Sequence, residues 1–473
     1  MLFGSNIKTN SLWFWLGVFI LAEIFLALAF NFESFNFIIL ILVALLTFVC
    51  VWLRPEFGLY IPLAELTWGS LGHTIGYSYF GLRLTIFLIV IFVFFVKNIF
   101  SLKNLIFFKN KKISIVWSLI LLAVIIASLI AYFVERPLTG IFLDANAYLY
   151  LLYLPVWQEV YRRDYLPTIL NIIKAAALVV AIKTLVVFNF FVQSYPGLDM
   201  VAIYKWLRDT RTGFVTSFEG SFSRVFLQSQ FYVLVAWFLS VWEIIKNHKN
   251  KSAFVALIIF SSALYVSLSR SFWLGLIVGF VFLAVNIFIY KRELITTRKF
   301  FTLFLVVIGT CLLVELLFNV PKFHSLNIFT QRTIDSGEAA ISSREQLLKP
   351  LWQGIVKAPI FGQGFGKEIS YYSSDPRIKN IDNPSGFYTT YAFEWGWLDM
   401  WLKGGLFLVA GFLVYLMLIY RQGYLKLASN PVALPLLSIV SSLVIIHVFS
   451  PYINHPLGLG VLMLSSTILE YDQ

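Results

Sequence analysis

The sequence predicts an all-α polytopic membrane protein with about 12–14 transmembrane helices and a long, partly helical external loop before the last three spans. The chain has 473 residues, of which 59% are hydrophobic and only 13% are charged, and its mean hydropathy is +0.83. Apolar runs of about twenty residues, each long enough to cross a bilayer, recur from one end to the other. Lysines and arginines gather in the short segments between these runs, as the positive-inside rule predicts.

The apolar runs divide the chain into three regions. We expect residues 1–318 to form transmembrane helices, with an external segment at 191–224. Residues 319–395 should form the external loop, and residues 396–473 should return to the membrane. The expected spans lie near residues 12–30, 35–53, 57–76, 82–96, 113–133, 141–157, 166–190, 225–243, 253–269, 271–290, 301–318, 396–420, 432–449 and 457–469. The third is broken by glycine and proline, so a re-entrant hairpin is an alternative to a full crossing there.

The charges predict the orientation of the chain. The net charge of +12 would suit nucleic acid in a soluble protein, but here it follows from topology, and we expect no nucleic-acid partner. The basic runs place both termini in the cytoplasm. The first apolar run is too long for a signal-peptide core, so we expect it to remain in the mature protein. Cys50 and Cys311 lie within apolar runs, which excludes a disulfide framework and a thiolate metal site.

The external loop contains the stretch KAPIFGQGFG, residues 357–366, directly after a predicted helix. Ser342 and Glu345 have capping-box spacing at the start of that helix. Its expected apolar face comprises Leu347, Leu348, Leu351, Trp352, Ile355 and Val356. A nucleotide site needs its glycines after a strand and before a helix, so the reversed order here argues against one.

We expect the glycine stretch to form a tight chain reversal that sets the preceding helix against the outer face of the spans. Pro359 cannot continue a helix, and Gly362, Gly364 and Gly366 permit positive φ. The backbone N–H groups of such a turn can also face an anion.

A helix that opens with Ser-Arg and carries a Trp, followed by APIFGQGFG in a long external loop, resembles the shared core of the O-antigen ligase and O-antigen polymerase family. The specific motif covers about residues 342–395. The resemblance implies a metal-independent, inverting glycosyltransferase of the bacterial inner membrane, without a cofactor, in O-antigen or exopolysaccharide biosynthesis. The implied donor is a glycan on undecaprenyl diphosphate, and the implied acceptor is another glycan or lipid A core.

Four arginines are candidates to hold this donor. Arg270, in YVSLSRSFWLG, would cost about 2.5–3.5 kcal/mol at the bilayer centre, and a helical hairpin turning at 269–271 avoids that cost. The resemblance implies that Arg270 and Arg224 act on the lipid diphosphate, for which a guanidinium fork suits two phosphate oxygens. Arg211 precedes Arg224 in the same external segment. Arg344 opens the loop helix against its macrodipole, which hints at another partner.

The general base is where the sequence departs from the family. Ligases of the family commonly show a His-Asn pair after the glycine turn, but here Asp382 precedes Asn383. We therefore expect Asp382 to act as the base and Asn383 to contact substrate. Fallback candidates for the base are Glu394, His324 and His455. The missing histidine favours a polymerase or a divergent relative over a His-dependent ligase.

Two other functions remain open at this stage. A transporter or flippase of lipid-linked sugars has a similar span count, but such proteins often have inverted repeats and matching broken helices, and the sequence shows neither. A relative of the same fold without activity would also lack the histidine. The intramembrane charges Glu23, Lys183 and Glu315, and the i, i+4 pair Asp399 and Lys403, are expected to form buried pairs outside the site.

Overall fold

The computed structural model describes residues 10–77, 80–98, 110–217, 222–318, 339–376 and 378–470. Within these ranges the protein is largely helical, with three two-stranded antiparallel sheets, which confirms the predicted fold class. The N-terminal elements are α1 (Leu12–Asn31), α2 (Glu33–Leu53), α3 (Phe57–Trp68), β1 (Gly76–Tyr77), β2 (Phe80–Gly81), α4 (Leu82–Asn98), α5 (Lys111–Phe133), α6 (Leu138–Leu149), α7 (Tyr153–Val160), α8 (Leu166–Gln193), α9 (Met200–Asp209), β3 (Gly213–Ser217) and β4 (Ser223–Leu227). The C-terminal elements are α10 (Gln230–Lys246), α11 (Lys251–Val266), α12 (Arg270–Tyr290), α13 (Thr297–Phe318), α14 (Ala339–Lys357), β5 (Ile369–Tyr372), β6 (Phe387–Thr390), α15 (Gly396–Leu425), α16 (Ala433–Phe449) and α17 (Pro456–Glu470).

Seven of the described helices are long and apolar enough to cross a membrane, namely α1, α2, α5, α8, α12, α13 and α15. All seven coincide with predicted spans. Large apolar side chains on them point outward, and Leu45, Ile277 and Phe304 are each 58% exposed. Helices that are apolar on their outer faces as well as inside are suited to contact lipid.

The other predicted spans form helices of fewer than 18 residues. Helix α3 has 12 residues, about 18 Å at 1.5 Å per residue, and the second half of the span expected at 57–76 is turn and hairpin. The span expected at 141–157 is divided by a 3₁₀ turn, Tyr150–Leu152, between α6 and α7. In α17 every residue from Pro456 to Glu470 is buried. The apolar character of α3, α7 and α17 reflects burial in protein, which sets no minimum length.

The two ends of the bundle differ in charge. Arg163 donates to the carbonyl of Ser429, and Lys246 donates to the carbonyl of Pro431, so three of the basic runs meet at one end. We call this the inner end of the bundle. The turn between α11 and α12 and the start of α15 lie at the other end, which we call the outer end. The sequence-predicted alternation of the basic runs is consistent with this arrangement.

Helices α12 and α16 pack closely through small residues. A Cβ atom at Gly275 would lie 2.5 Å from Ile446, and one at Gly279 would lie 2.6 Å from Phe238 and 2.8 Å from the carbonyl of Ser438. The glycines are four residues apart, as in the small-xxx-small contacts that bring membrane helices together. This contact fixes the turn at Arg270 against the end of α16.

Two of the intramembrane charges, Glu23 and Lys183, form a largely buried pair, as predicted. Lys183 Nζ lies 2.5 Å from Glu23 Oε1, and Trp68 Nε1 donates to the same oxygen at 2.7 Å. The pair joins α1, α8 and the end of α3. Because a charge in hydrocarbon is stable only when it is paired, the contact fixes the relative positions of these helices.

The capping box predicted at Ser342 is wrong. Helix α14 begins at Ala339, so Ser342 lies inside it, and its hydroxyl lies 3.0 Å from that of Ser374. The apolar face is narrower than predicted, since Trp352 is 50% and Val356 59% exposed. The buried side chains of this small outer core are Leu347, Leu351, Ile355, Ile369, Tyr371, Phe393 and Leu402.

The span predicted at 225–243 begins later than expected, at Gln230. Residues Ser223–Leu227 form β4, which pairs with β3 so that Arg224 lies opposite Thr216. Four of the five β4 residues are buried, which explains why the strand reads in sequence as the start of an apolar helix. Arg224 therefore lies on a fixed hairpin.

Candidate functional site

The glycine stretch forms the tight reversal predicted for it. Gly362, Gly364 and Gly366 have φ of 74°, 86° and 67°, in the region that residues with a Cβ rarely adopt. The stretch directly follows α14 and packs on the outer half of α15. The nitrogen of Phe365 also donates to the carbonyl of Ala127 in α5 at 3.2 Å. The reversal therefore sits between two membrane helices.

Helix α15 is broken where this reversal contacts it. Gly405 has φ 71° and ψ −178°, so the carbonyls of Leu402 and Lys403 lose their partners in the helix. The nitrogen of Gln363 donates to the Leu402 carbonyl at 2.7 Å, and that of Gly364 donates to the Lys403 carbonyl at 2.9 Å. Broken helices are tolerated at membrane depth only where the freed backbone groups find partners, and here the loop supplies them.

The exchange of hydrogen bonds is reciprocal. The nitrogens of Leu406 and Phe407, which a regular helix would bond to residues 402 and 403, donate instead to Pro359 and Ile360 at 2.8 and 3.1 Å. Two helical hydrogen bonds are thus replaced by four bonds to the loop. No broken helix was predicted from the sequence. The break at Gly405 was missed because glycine pairs also occur in unbroken membrane helices.

A buried charge cluster lies beside the break. Lys403 Nζ lies 2.7 Å from Asp144 Oδ1 and 2.8 Å from Asp399 Oδ1, and it donates to the carbonyl of Tyr391 at 2.8 Å. Asp144 also accepts from the nitrogen of Gly366 at 2.6 Å. The predicted pairing of Asp399 with Lys403 is therefore confirmed, but the pair lines the candidate cavity and does not lie outside the site. Asp144 on α6 extends it, so that the cluster joins α6, α15 and the glycine reversal.

Asp144, Asp399 and Lys403 line a cavity of about 300 Å³ at the outer end. Its walls come from the turn after α3, from α4 and α6, from the residue after the α9 cap, from α15 and from the connection between α16 and α17. The charged groups and histidines that line it are His73, Arg83, Asp144, Arg211, Asp399, Lys403 and His455. The cavity thus has an acidic end around Asp144 and Asp399 and a basic end around Arg83 and Arg211.

The basic end is built on a buried ion pair. Arg83 Nε lies 2.8 Å from Glu65 Oε2, and Arg83 Nη2 donates to the carbonyl of Ser70 at 2.6 Å. Burial, together with the positive charges of Arg211 and Arg83, lowers the pKa of His73. His73 is therefore a neutral imidazole near pH 7, and its side chain faces the cavity.

His455 is a neutral hydrogen-bond donor in the cavity wall. Its Nδ1 accepts from the nitrogen of Leu457 at 3.2 Å, as an N-cap does at the start of α17, which leaves the proton on Nε2. Burial, with a smaller contribution from Arg83, lowers the pKa of His455 to about 3. In this tautomer His455 can donate to a ligand but does not accept a proton, which argues against its role as the base.

We expect His455 to make the protein less stable in acid. Because its folded pKa lies below the unfolded value of about 6.5, its contribution is fully present above pH 6.5 and decreases as the pH falls toward 3. His455→Asn keeps a capping oxygen but does not titrate, so its unfolding temperature should fall by a few degrees less than that of the wild type between pH 7.5 and 5. Thermal unfolding followed by size-exclusion chromatography measures both; parallel pH curves would contradict the assignment.

A second polar cluster lies at the turn between α11 and α12, where Arg270 was predicted. The turn comprises residues 267–269, and Arg270 begins α12, close to the predicted position. Arg224 Nε donates to the carbonyl of Ser267 at 2.7 Å, and the Arg224 guanidinium lies 5.2 and 5.4 Å from the ring centroids of Phe214 and Phe226. The structure therefore brings Arg224 to the turn that carries Arg270.

The cavity and this turn are separate but connected. The hydroxyl of Ser271 lies 3.2 Å from that of Ser450, and Phe272 packs on Tyr452, with 5.6 Å between the ring centroids. Tyr452 belongs to the connection between α16 and α17, which also carries Asn454 and His455 in the cavity wall. The β3–β4 hairpin also connects the cavity with this turn, since Arg211 precedes β3 and Arg224 lies on β4.

The predicted base lies elsewhere. Asp382 is exposed in a turn between β5 and β6, where its nitrogen donates to Asn380, and Asn383 donates to the carbonyl of Phe387 at 2.9 Å. Neither residue lines the cavity. Arg344, for which another partner was expected from its place in the helix, is ion-paired with Glu394. His324 lies outside the described residues.

Sequence reasoning missed His73, Arg83 and Asp144 as cavity residues. His73 and Arg83 fall in or beside a segment that reads as a span, so their signal was polar side chains in an apolar run. Asp144 is 259 residues from Lys403, and no local pattern joins them. Among the described residues, no group of three or more His, Cys, Asp or Glu side chains is arranged to hold a metal ion.

Comparison with known protein families gives a match. A family model described as O-Antigen ligase matches residues 255–413. The matched segment runs from α11 to the outer half of α15 and beyond its break, so it includes Arg270, α14 and the glycine reversal. Neither the curated proteins nor the solved structures gave a match.

Proposed function

The chain is a multi-pass membrane protein that carries the O-antigen ligase domain at residues 255–413, and from this premise we propose that it transfers glycans from undecaprenyl diphosphate. In this proposal it polymerises or ligates the glycan on the outer side of the bacterial inner membrane, in O-antigen or exopolysaccharide biosynthesis. The outer end of the bundle faces outward, and both termini are cytoplasmic. The basic runs support this orientation.

The observation that carries the proposal is the meeting of Arg224 with the turn at Arg270. Both belong to elements at the outer end, and the hydrogen bond to Ser267 together with two aromatic rings fixes the direction of the Arg224 side chain. In glycosyl transfer the bond from the anomeric carbon to the phosphate oxygen breaks, and negative charge develops on the departing lipid diphosphate. Preorganised arginines stabilise such charge, so the reaction need not depend on a metal ion.

The acceptor hydroxyl attacks the anomeric carbon from the face opposite the leaving diphosphate, which inverts the configuration. Its proton passes to a base, for which Asp382 remains our candidate on the outer loop. Because Asp382 does not line the cavity, the reacting hydroxyl lies outside it while the rest of the acceptor extends inward. The acceptor glycan enters the cavity, where Asn454 Oδ1 is buried without a hydrogen-bond partner in the described part of the chain. A sugar hydroxyl would satisfy this oxygen, and the Nε2–H of His455 can donate beside it.

The break in α15 is the one observation that favours a transporter, because discontinuous helices often bind transported substrates. In transporters the freed backbone groups face the substrate or a coupled ion. Here the freed carbonyls of Leu402 and Lys403 accept from the glycine reversal, which leaves them no substrate to bind. The break therefore supports a fixed outer loop, as an enzyme requires.

The test is a transfer reaction with purified protein in lipid nanodiscs. The donor is an undecaprenyl-diphosphate-linked oligosaccharide from the host, with chelator and no added metal, and mass spectrometry follows the length of the carrier-linked chains. We expect chain lengthening by the wild type and a loss of about 10²–10³-fold in Arg224→Ala and Arg270→Ala. Arg298→Ala, at the inner end of the bundle, is the matched control and should react normally.

Each other result has a definite meaning. Transfer only when a lipid A core acceptor is added would identify a ligase. Full activity of both arginine variants would contradict the proposed role of the turn. Movement of intact carrier-linked glycan across the vesicle membrane, without any change in its length, would identify a transporter instead of an enzyme. A requirement for added metal would contradict the metal-independent mechanism. Asp382→Asn then tests the base.

A further inference from the structure

The end of α9 breaks a local rule of helix capping. The nitrogen of Arg211 donates to the carbonyl of Arg208 at 3.0 Å, and that of Thr212 donates to the carbonyl of Leu207 at 2.9 Å, which is the Schellman arrangement. Arg211 occupies the position that is usually glycine, with φ 52°. Glycine adopts this φ without strain, whereas a residue with a Cβ does not. An arginine held in this conformation suggests that its side chain is needed there.

The Arg211 side chain is directed to the basic end of the cavity. It lines the cavity, is exposed, and makes no hydrogen bond or ion pair within the described ranges. The segment around it is fixed, because Ser70 Oγ donates to the carbonyl of Thr212 at 3.2 Å and the Ser70 nitrogen donates to Ser229 Oγ at 2.9 Å. The charge of Arg211 is therefore held at one place.

Arg83 offers a second set of donors. Its side chain is 8% exposed and lines the cavity, and Glu65 and the Ser70 carbonyl occupy Nε and Nη2. Its Nη1 makes no hydrogen bond to any residue that the structure describes. His73 also has no hydrogen-bond partner among these residues, and its ring can donate to an anion. Glu65 balances the charge of Arg83, so Arg211 supplies the uncompensated positive charge at this end.

The basic end is distinct from the turn that carries Arg270. Thr212 follows Arg211, and Arg224 lies opposite Thr216, so four residues of extended strand separate them, about 13 Å at 3.3 Å per residue. Arg224 is fixed at the Ser267 carbonyl, whereas Arg211 lines the cavity, to whose wall the turn at Arg270 contributes no residue. The chain thus has two places on its outer end where guanidinium groups can meet phosphate.

We propose that Arg211, Arg83 and His73 form an anion site that binds a phosphate group of the acceptor, separate from the donor site at the turn. The assignment of the bound phosphate to the acceptor rests on the proposed function, whereas the anion site itself does not. Guanidinium forks suit phosphate oxygens, and a site open to the cavity admits a group attached to a larger molecule. A glycan linked to a lipid carrier through diphosphate is an acceptor that carries such a group.

The first experiment measures binding of inorganic diphosphate to the purified full chain by calorimetry. We expect two sites in the wild type, of which Arg211→Gly weakens one by at least about tenfold and Arg270→Ala weakens the other. Arg211→Gly places the preferred residue in the cap, so its unfolding temperature should equal or exceed that of the wild type. Lost binding in this variant therefore cannot come from misfolding. Arg208→Ala, an exposed arginine of the same helix, is the matched control.

The second experiment measures transfer with two acceptors, one carrier-linked and one free of phosphate. Arg211→Gly should raise KM for the carrier-linked acceptor about tenfold or more with little change in kcat, and it should leave the phosphate-free acceptor unaffected. If Arg270→Ala abolishes transfer but Arg211→Gly changes neither diphosphate binding nor KM, the anion site is wrong and the proposed function stands. If diphosphate binding depends on Arg211 but no glycan is transferred, the anion site stands and the proposed function fails.

Discussion

Lys403→Met should destabilise the protein by about 3–5 kcal/mol, because it leaves two buried carboxylates without their shared cation. Lys403 is 5% exposed, and its partners Asp144 and Asp399 are 12% and 7% exposed. Without the ammonium group, their negative charges repel each other at the point where the glycine reversal meets α6 and α15. Thermal unfolding of the purified protein followed by size-exclusion chromatography measures the effect.

The control restores neutrality without restoring the lysine. In the triple variant with Lys403→Met, Asp144→Asn and Asp399→Asn, no charge remains in this cluster, and most of the lost stability should return. The asparagine at 144 can still accept from the nitrogen of Gly366. An unfolding temperature of Lys403→Met equal to that of the wild type would show that the cluster does not stabilise the fold.

Gly405→Ala should release the outer loop from α15. The backbone conformation at Gly405, φ 71° and ψ −178°, is essentially restricted to glycine, and a residue with a Cβ there costs about 1–3 kcal/mol in strain alone. The Cβ would also overlap the carbonyl oxygen of Ile360 and the nitrogen of Gly362, which are backbone atoms and cannot turn aside. Limited proteolysis should therefore cut residues 358–395 much faster in the variant.

Gly17→Ala is the matched control for this experiment. A Cβ at Gly17 meets nothing within 4 Å, and alanine favours a helix by about 1 kcal/mol over glycine, so the control should be at least as stable as the wild type. Equal rates of loop cleavage in the Gly405 variant and in this control would mean that the hydrogen bonds between the reversal and the broken helix are not what holds the loop.

Hydropathy predicted the long helices because their outer surfaces face lipid, and lipid imposes both composition and length. It could not give the true bounds of α3 and α10, since side chains buried in protein are equally apolar and no bilayer thickness constrains them. Strand β4 was missed for the same reason: SRVFL reads as the start of an apolar run, and only its pairing with β3 reveals a strand.

The candidate site was predicted where one residue carried a large local cost. A single Arg270 in a long apolar stretch required a turn, and the turn is there. The reversal at Gly362 was likewise predictable from local backbone freedom. The cavity was not, because its members meet only through tertiary packing, as Asp144 and Lys403 do across 259 residues of chain. Arg211 has an ordinary appearance in the sequence, and only its φ sets it apart.

The exchange of backbone hydrogen bonds at Gly405 also limits how the outer loop can move. Residues 359–364 are held by the same kind of bonds that hold a helix together, so they move as a rigid part of α15. A lid that closes over a bound glycan therefore cannot pivot at the glycine reversal, although its glycines suggest a hinge. Beyond Gly366 strand β5 is held as well, because Ile369 and Tyr371 are buried against α14. The exposed turn at Asp382 is the part of the outer loop that these contacts leave unpacked.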